Sequence, residues 1–156
     1  MKHYPPPAPP RPRAPPLAIP PFHAVPGRAR ADGWTPERQA RFIGHLAETR
    51  SVTKAARRVE MARESAYRLR RRRWAEGFCA AWDAAMGLRS QGSATMAGKV
   101  TSEELRWRIE SGLWQVIFTD RRFAGAWRQA DNAALLQLMA RQRFTRQSPL
   151  RMAPPR

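Results

Sequence analysis

Apolar residues recur at helical spacing in several separate stretches of this chain, and in one stretch they run together with β-branched and aromatic residues. Phe42, Ile43, Leu46 and Ala47 lie three or four apart and predict a first helix over about 36 to 49. Thr35 can cap that helix, Pro36 suits its first position, and Glu37 faces the positive end of its dipole. Thr49-Arg50-Ser51 breaks the pattern. A short second helix is expected near Thr53 to Val59, and a third from Arg63 to Trp74, after Glu60-Met61-Ala62. Gly77 interrupts before Phe78, Ala81, Trp82 and Ala85 mark another helical face, and Gly87 to Gly98 reads as a linker. Thr101-Ser102-Glu103-Glu104 has the spacing of a capping box and opens a helix that ends near Gly112. Leu113 to Phe118 and Phe123 to Arg128 flank the polar Thr119-Asp120-Arg121-Arg122, which predicts a β-hairpin, although Asp120-Arg121 is not a strong hairpin turn. Asp131 then caps a last helix carrying Leu135, Leu136, Leu138 and Met139.

Composition changes this picture at both ends. Eleven of the 15 prolines precede residue 32. Proline lacks an N–H and fixes φ, so residues 1–31 are expected to form a disordered or polyproline-II arm. A disordered tail is expected over 148–156, where Pro149, Pro154 and Pro155 fall. The formal net charge of +17 is uneven: +5 over residues 1–31, +7 over 32–74, −1 over 75–110 and +6 over 111–156. Two basic regions around a near-neutral one make a polyanion, nucleic acid above all, the expected partner. A small domain cannot easily bury all six tryptophans, so some are expected at a self-association surface, with the near-neutral region as its place because like-charged surfaces resist association. Cys79 is the single cysteine, so neither an intramolecular disulfide nor a cysteine metal cluster is expected. No apolar run suits a transmembrane helix or a signal peptide, so a cytoplasmic, nucleoid-associated protein is the expectation.

Candidate chemistry concentrates between Val52 and Arg71. Ala55, Ala56 and Val59 are small or apolar on the second helix, Met61 follows the turn, and Ala66 and Leu69 face inward from the third. Small residues let two helices cross closely. In the helix-turn-helix pattern of DNA-binding proteins that this stretch resembles, the turn residue is usually a glycine at positive φ, and Glu60 stands there at a cost of up to about 1 kcal/mol. Ala62 replaces the common Ser or Thr cap. A helix fits the major groove of B-form DNA, where arginine can read guanine and glutamate can accept from cytosine. Arg63, Glu64, Tyr67, Arg68 and Arg71 are therefore the expected base contacts. Ser51, Thr53, Lys54, Arg58, Arg70 and Arg72 are expected at the sugar–phosphate backbone, with Arg121 and Arg122 of the hairpin. Arg128 could join the hairpin contact, and a plain solvated turn is the alternative. The four arginines 70 to 73 span most of a helix circumference, so they cannot all meet one groove.

This pattern resembles the helix-turn-helix of small bacterial and phage DNA-binding proteins, including the recognition modules of terminase small subunits and transposases. The resemblance rests on Trp34-Thr35-Pro36-Glu37-Arg38, Ser51 to Ala56, Glu64 to Arg70, Phe78 to Ala85 and Asp131 to Leu136. It covers roughly residues 33–142. It implies a mainly α fold: a three-helix module over 32–74, then a region of further helices and a small β-hairpin over 75–147. It implies sequence-selective binding of double-stranded DNA by a homo-oligomer, a dimer for a regulator or a larger ring for a packaging subunit. No enzyme activity, metal or cofactor is expected. His3, His23 and His45 are dispersed, and Gly92 to Lys99 departs from the phosphate-loop spacing. A non-catalytic scaffold whose proline-rich arm docks a protein partner is the rival of another class, and RNA binding is a third option.

Overall fold

The structure of the chain, a computed structural model, describes residues 18–28, 30–88 and 99–146. The first 17 residues of the expected arm, the linker beyond Leu88 and the expected C-terminal tail lie outside the described residues. Among the described residues, six helices and three strands follow in the order β1 (Phe22–His23), α1 (Pro36–Thr49), α2 (Val52–Arg58), α3 (Arg63–Arg70), α4 (Glu76–Ala85), α5 (Ser102–Ser111), β2 (Leu113–Thr119), β3 (Arg122–Gln129) and α6 (Asn132–Arg146). The fold is mainly α with a small antiparallel sheet, as the sequence predicts.

Helix α1 is the organising element. Thr35 Oγ1 accepts from the Arg38 amide at 3.2 Å, and the helix ends where Arg50 turns left-handed at φ 53°. Its buried face is wide, from Gln39 through Ala47, because α2, α4 and both hairpin strands all pack against it. Gly44 lies where β3 crosses, and a β-carbon there would overlap the Phe123 ring. An aromatic cluster fills the centre. Phe42 lies 6.2 Å from Phe78 and 5.1 Å from Trp82 between ring centroids, and Phe22 meets Phe78 edge-on at 5.9 Å. Phe78 and Trp82 are thus buried inside the molecule, and the self-association expected of segment 75–110 cannot use them. Leu88 is the exposed large apolar side chain of that segment among the described residues, and most of the others, Leu135, Leu136, Met139 and Phe144, lie on α6.

The sheet has the order β1-β2-β3 and is antiparallel throughout. The expected hairpin is present, with Leu113 opposite Gln129, Thr119 opposite Arg122 and an irregularity at Ile117/Phe118. Its two-residue turn holds Asp120 at φ 50° and Arg121 at φ 65°. Positive φ at both positions matches the twist of the flanking strands, which is why the chain accepts two non-glycine residues there.

The third strand corrects the reading of residues 1–31 as a disordered arm. Within residues 18–28, Ile19, Phe22, Ala24 and Val25 are buried, and β1 pairs with β2 through Phe22 opposite Trp114. Proline forbids the interior of a helix, but an extended strap tolerates it, since few of its amides need a partner. The strap is held by side chains instead. The buried Gln39 amide accepts from Val25 N–H at 2.7 Å and donates to Val25 C=O at 2.9 Å and to Trp34 C=O at 3.0 Å. Trp107 Nε1 donates to Ala24 C=O at 2.7 Å, and Arg72 Nη1 donates to Pro26 C=O at 3.3 Å.

The third helix is also shorter than expected, ending at Arg70 rather than Trp74. Leu69 and Ala75 are both buried in the same core. Six helical residues turn about 600°, which would leave Ala75 roughly 240° round the axis from Leu69. The chain therefore breaks, with Trp74 at φ 61°, and restarts as α4.

Candidate nucleic-acid interface

The α2–α3 unit is built as its residues predict. Ser51 Oγ accepts from the Lys54 amide at 3.4 Å and caps α2. Ala55, Ala56 and Val59 are buried on α2, and Ala66 and Leu69 on α3, so the two helices approach over side chains that occupy little space. Between them the chain reverses through Glu60 at φ 59°, the left-handed conformation the turn requires. The Met61 amide donates to Ala56 C=O at 2.9 Å and so closes the end of α2. Ala62 offers α3 no side-chain cap.

Helical geometry sorts the side chains of α3. With Ala66 and Leu69 inward, the direction opposite falls on Glu64, Tyr67, Arg68 and Arg71 at about 100° per residue, and all four are exposed. Arg63 is exposed on the flank, with its guanidinium 5.5 Å from the Tyr67 ring centroid. Tyr67 is steadied from below by Trp82, at 5.4 Å between centroids. The five expected base contacts therefore form one connected surface.

The expected phosphate contacts divide. Thr53, Lys54, Arg121 and Arg122 are exposed. Ser51 is half-buried and occupied with capping. Arg58 is exposed but pairs with Glu48 at 2.9 Å. Arg70 needs correction: it belongs to the inward side of α3, pairs with Asp83 at 2.7 Å and lies 5.2 Å over the Trp82 ring. It ties α3 to α4. Arg72 is exposed and bridges to the strap at Pro26. Arg128 is also structural, donating from Nε and Nη2 to Ser111 C=O at 2.9 Å and Glu110 C=O at 2.6 Å, which satisfies carbonyls at the end of α5. Another exposed arginine of this unit, Arg57, escaped the sequence reading. Arg57 lies three residues beyond Lys54 on α2, a spacing that puts both on one face. Among the described residues, no carboxylate forms an ion pair with Lys54, Arg57, Arg63, Arg68 or Arg71, which leaves a basic row interrupted only by Glu60 and Glu64.

The hairpin reaches this unit from the side of α1. Phe123 packs edge-on to His45 at 4.9 Å, and His45 lies between Glu48 and Arg58. Burial pushes the His45 imidazole below its ordinary pKa, helped by Arg58 and Arg41 and opposed by Glu48. The Cys79 thiol donates to Arg70 C=O, and burial raises its pKa, so it stays protonated.

His23, expected in a flexible arm, instead joins β1 to α6. Its Nε2 donates to Asp131 Oδ2 at 2.6 Å, while Asp131 Oδ1 accepts from the Ala134 amide at 2.9 Å. Burial, helped by Arg108, holds the pKa of His23 below its ordinary value against the upward pull of Asp131. Burial acts upward on Asp131, but the Ala134 amide and His23 outweigh it, and the carboxyl lies below its ordinary value. Both groups bind a proton more readily in the unfolded chain, so their contribution is complete at neutral pH and is lost as pH falls through the folded values. Urea unfolding is expected to show a lower midpoint at pH 5.5 than at pH 7.5, with the difference reduced in His23→Gln. Equal midpoints in the unsubstituted protein would contradict this assignment.

Among the described residues no helix is long and apolar enough to cross a membrane. No protein-family model, curated protein or solved structure matches this chain.

Proposed function

We propose that this chain is a sequence-selective DNA-binding protein that reads the major groove with α3. The observation that carries the reading is the pairing of a closely packed helix–turn–helix, its turn held by Glu60 at positive φ, with an outward face of Glu64, Tyr67, Arg68 and Arg71. Arginine at two positions offers bidentate contacts to guanine, Glu64 can accept from cytosine, and the Tyr67 ring offers an apolar surface to a thymine methyl. Lys54, Arg57 and the hairpin arginines contribute phosphate contacts that add affinity without sequence information. The protein acts as a regulator or as the recognition subunit of a larger DNA-processing machine.

We further propose that a second copy of the chain covers the apolar face of α6, since paired modules read two half-sites one helical turn apart. Selection of bound sequences from a random DNA pool is the test. A short shared sequence, recovered at physiological salt, is the expected result. A pool that stays random while binding persists would reduce the protein to a non-specific polyanion binder.

A further inference from the structure

A cleft of about 330 Å³ lies between the strap and the start of α1, away from the outward face of α3. Its walls are mostly apolar, formed by Val25, Trp34, Pro36 and Trp107, and Arg28 and Arg30 also line it. That volume falls within the range of small-molecule sites, which combine mostly apolar walls with a few convergent polar groups. Both indole N–H groups already have partners: Trp107 Nε1 donates to Ala24 C=O at 2.7 Å and Trp34 Nε1 to Ser65 Oγ at 3.1 Å. The cleft therefore presents ring surface rather than indole donors, and its charge comes from the two arginines, both exposed and without an ion pair among the described residues.

We infer that the cleft lined by Trp34 and Trp107 binds a small planar anion, an aromatic carboxylate in chemical class, with the ring against its apolar walls and the carboxylate on Arg28 and Arg30. Flat apolar walls select a planar body, and a guanidinium pair selects an anionic head. Inorganic phosphate matches the charge but not the walls, and a neutral aromatic matches the walls but not the charge.

The same tryptophan connects this site to α3. Trp34 is also a wall of a second cleft of about 220 Å³, whose other lining residues are Ser65, Arg68, Leu69 and Arg72. Its ring meets Phe42 edge-on at 5.4 Å. A ligand that shifts Trp34 therefore acts on Ser65, next to the exposed face of α3. This coupling has a functional meaning only if α3 reads DNA; the ligand site itself does not depend on that reading.

The test titrates the full-length protein with 2-naphthoate, using 2-naphthylmethanol and inorganic phosphate as controls, and follows the indole N–H resonances of all six tryptophans by NMR. Saturable shifts confined to Trp34 and Trp107 are expected with naphthoate. Binding should weaken about tenfold or more in Arg28→Gln/Arg30→Gln and with naphthylmethanol. Phosphate should give no saturable shift at either indole. The absence of saturable naphthoate shifts, or equal binding by the neutral analogue or by the double variant, would overturn the site. Altered affinity for selected DNA on adding naphthoate, abolished by Ser65→Ala, is expected of the coupling. Naphthoate binding with unchanged DNA affinity would overturn the coupling and leave the site standing, whereas absence of DNA binding altogether would count against the DNA reading instead.

Discussion

A chain beginning at Asp32 is expected to lose cooperative unfolding, although it keeps every helix. Such a truncation removes Ile19, Phe22, Ala24 and Val25 from the core and strips β1 from the edge of β2. Phe22 is the largest of these and fully enclosed, and emptying a buried phenylalanine site costs about 3–5 kcal/mol. Exposed sheet edge, the orphaned Gln39 side chain and the bared Phe78 ring add to that loss. The sum approaches the whole stability of a domain of this size, about 5–15 kcal/mol. Circular dichroism during urea unfolding checks it: a broad, low-midpoint transition is expected. A sharp transition within about 1 kcal/mol of the full chain would show that the strap is not part of the core.

Gln39→Leu should cost about 3–5 kcal/mol, an unusually large effect for replacing a polar residue by an apolar one of similar size. Gln39 is fully buried, and its amide satisfies the N–H and C=O of Val25 together with the C=O of Trp34. Leucine fills the space but leaves the buried N–H and C=O of Val25 and the half-buried C=O of Trp34 unpaired, each buried group worth about 1–3 kcal/mol when water cannot reach it. Gln39→Glu is expected to be destabilising as well, since a carboxylate can accept from Val25 N–H but cannot donate to either carbonyl at neutral pH. Unfolding free energies from urea titration measure both. A loss below about 1 kcal/mol for Gln39→Leu would mean that water or another group replaces the clamp.

Periodicity made the helices legible, and capping residues placed most of their ends. Thr35, Ser51, Thr101 and Asp131 each accept an amide at a helix start. The turn at Glu60 was legible through the resemblance to a helix-turn-helix, whose turn residue takes positive φ, and Glu60 does so at φ 59°. Two things were not. The strap is one, because its proline density masks the apolar residues within it. Ile19, Phe22 and Val25 recur every third residue, the period of an extended proline-rich chain, and that was the available signal. The fate of individual arginines was not readable either. Composition cannot distinguish Arg68, which is exposed on α3, from Arg70, which pairs with Asp83, or Arg128, which holds the end of α5. Only the third dimension brings those partners together.

The outward face of α3 is the centre of the account, and a competition titration of Arg68→Ala and Arg71→Ala tests it most directly. Each variant is titrated at fixed salt against the selected duplex and a scrambled one. Removing a bidentate base contact is expected to weaken binding to the selected site by about 1–3 kcal/mol. Affinity for the scrambled duplex should change much less, because it rests on phosphate charge summed over the whole surface. The discrimination between the two duplexes is therefore predicted to shrink, while the Arg121→Ala/Arg122→Ala variant should leave it intact. Equal losses on both duplexes for Arg68→Ala and Arg71→Ala would contradict the account and leave α3 as one more basic surface.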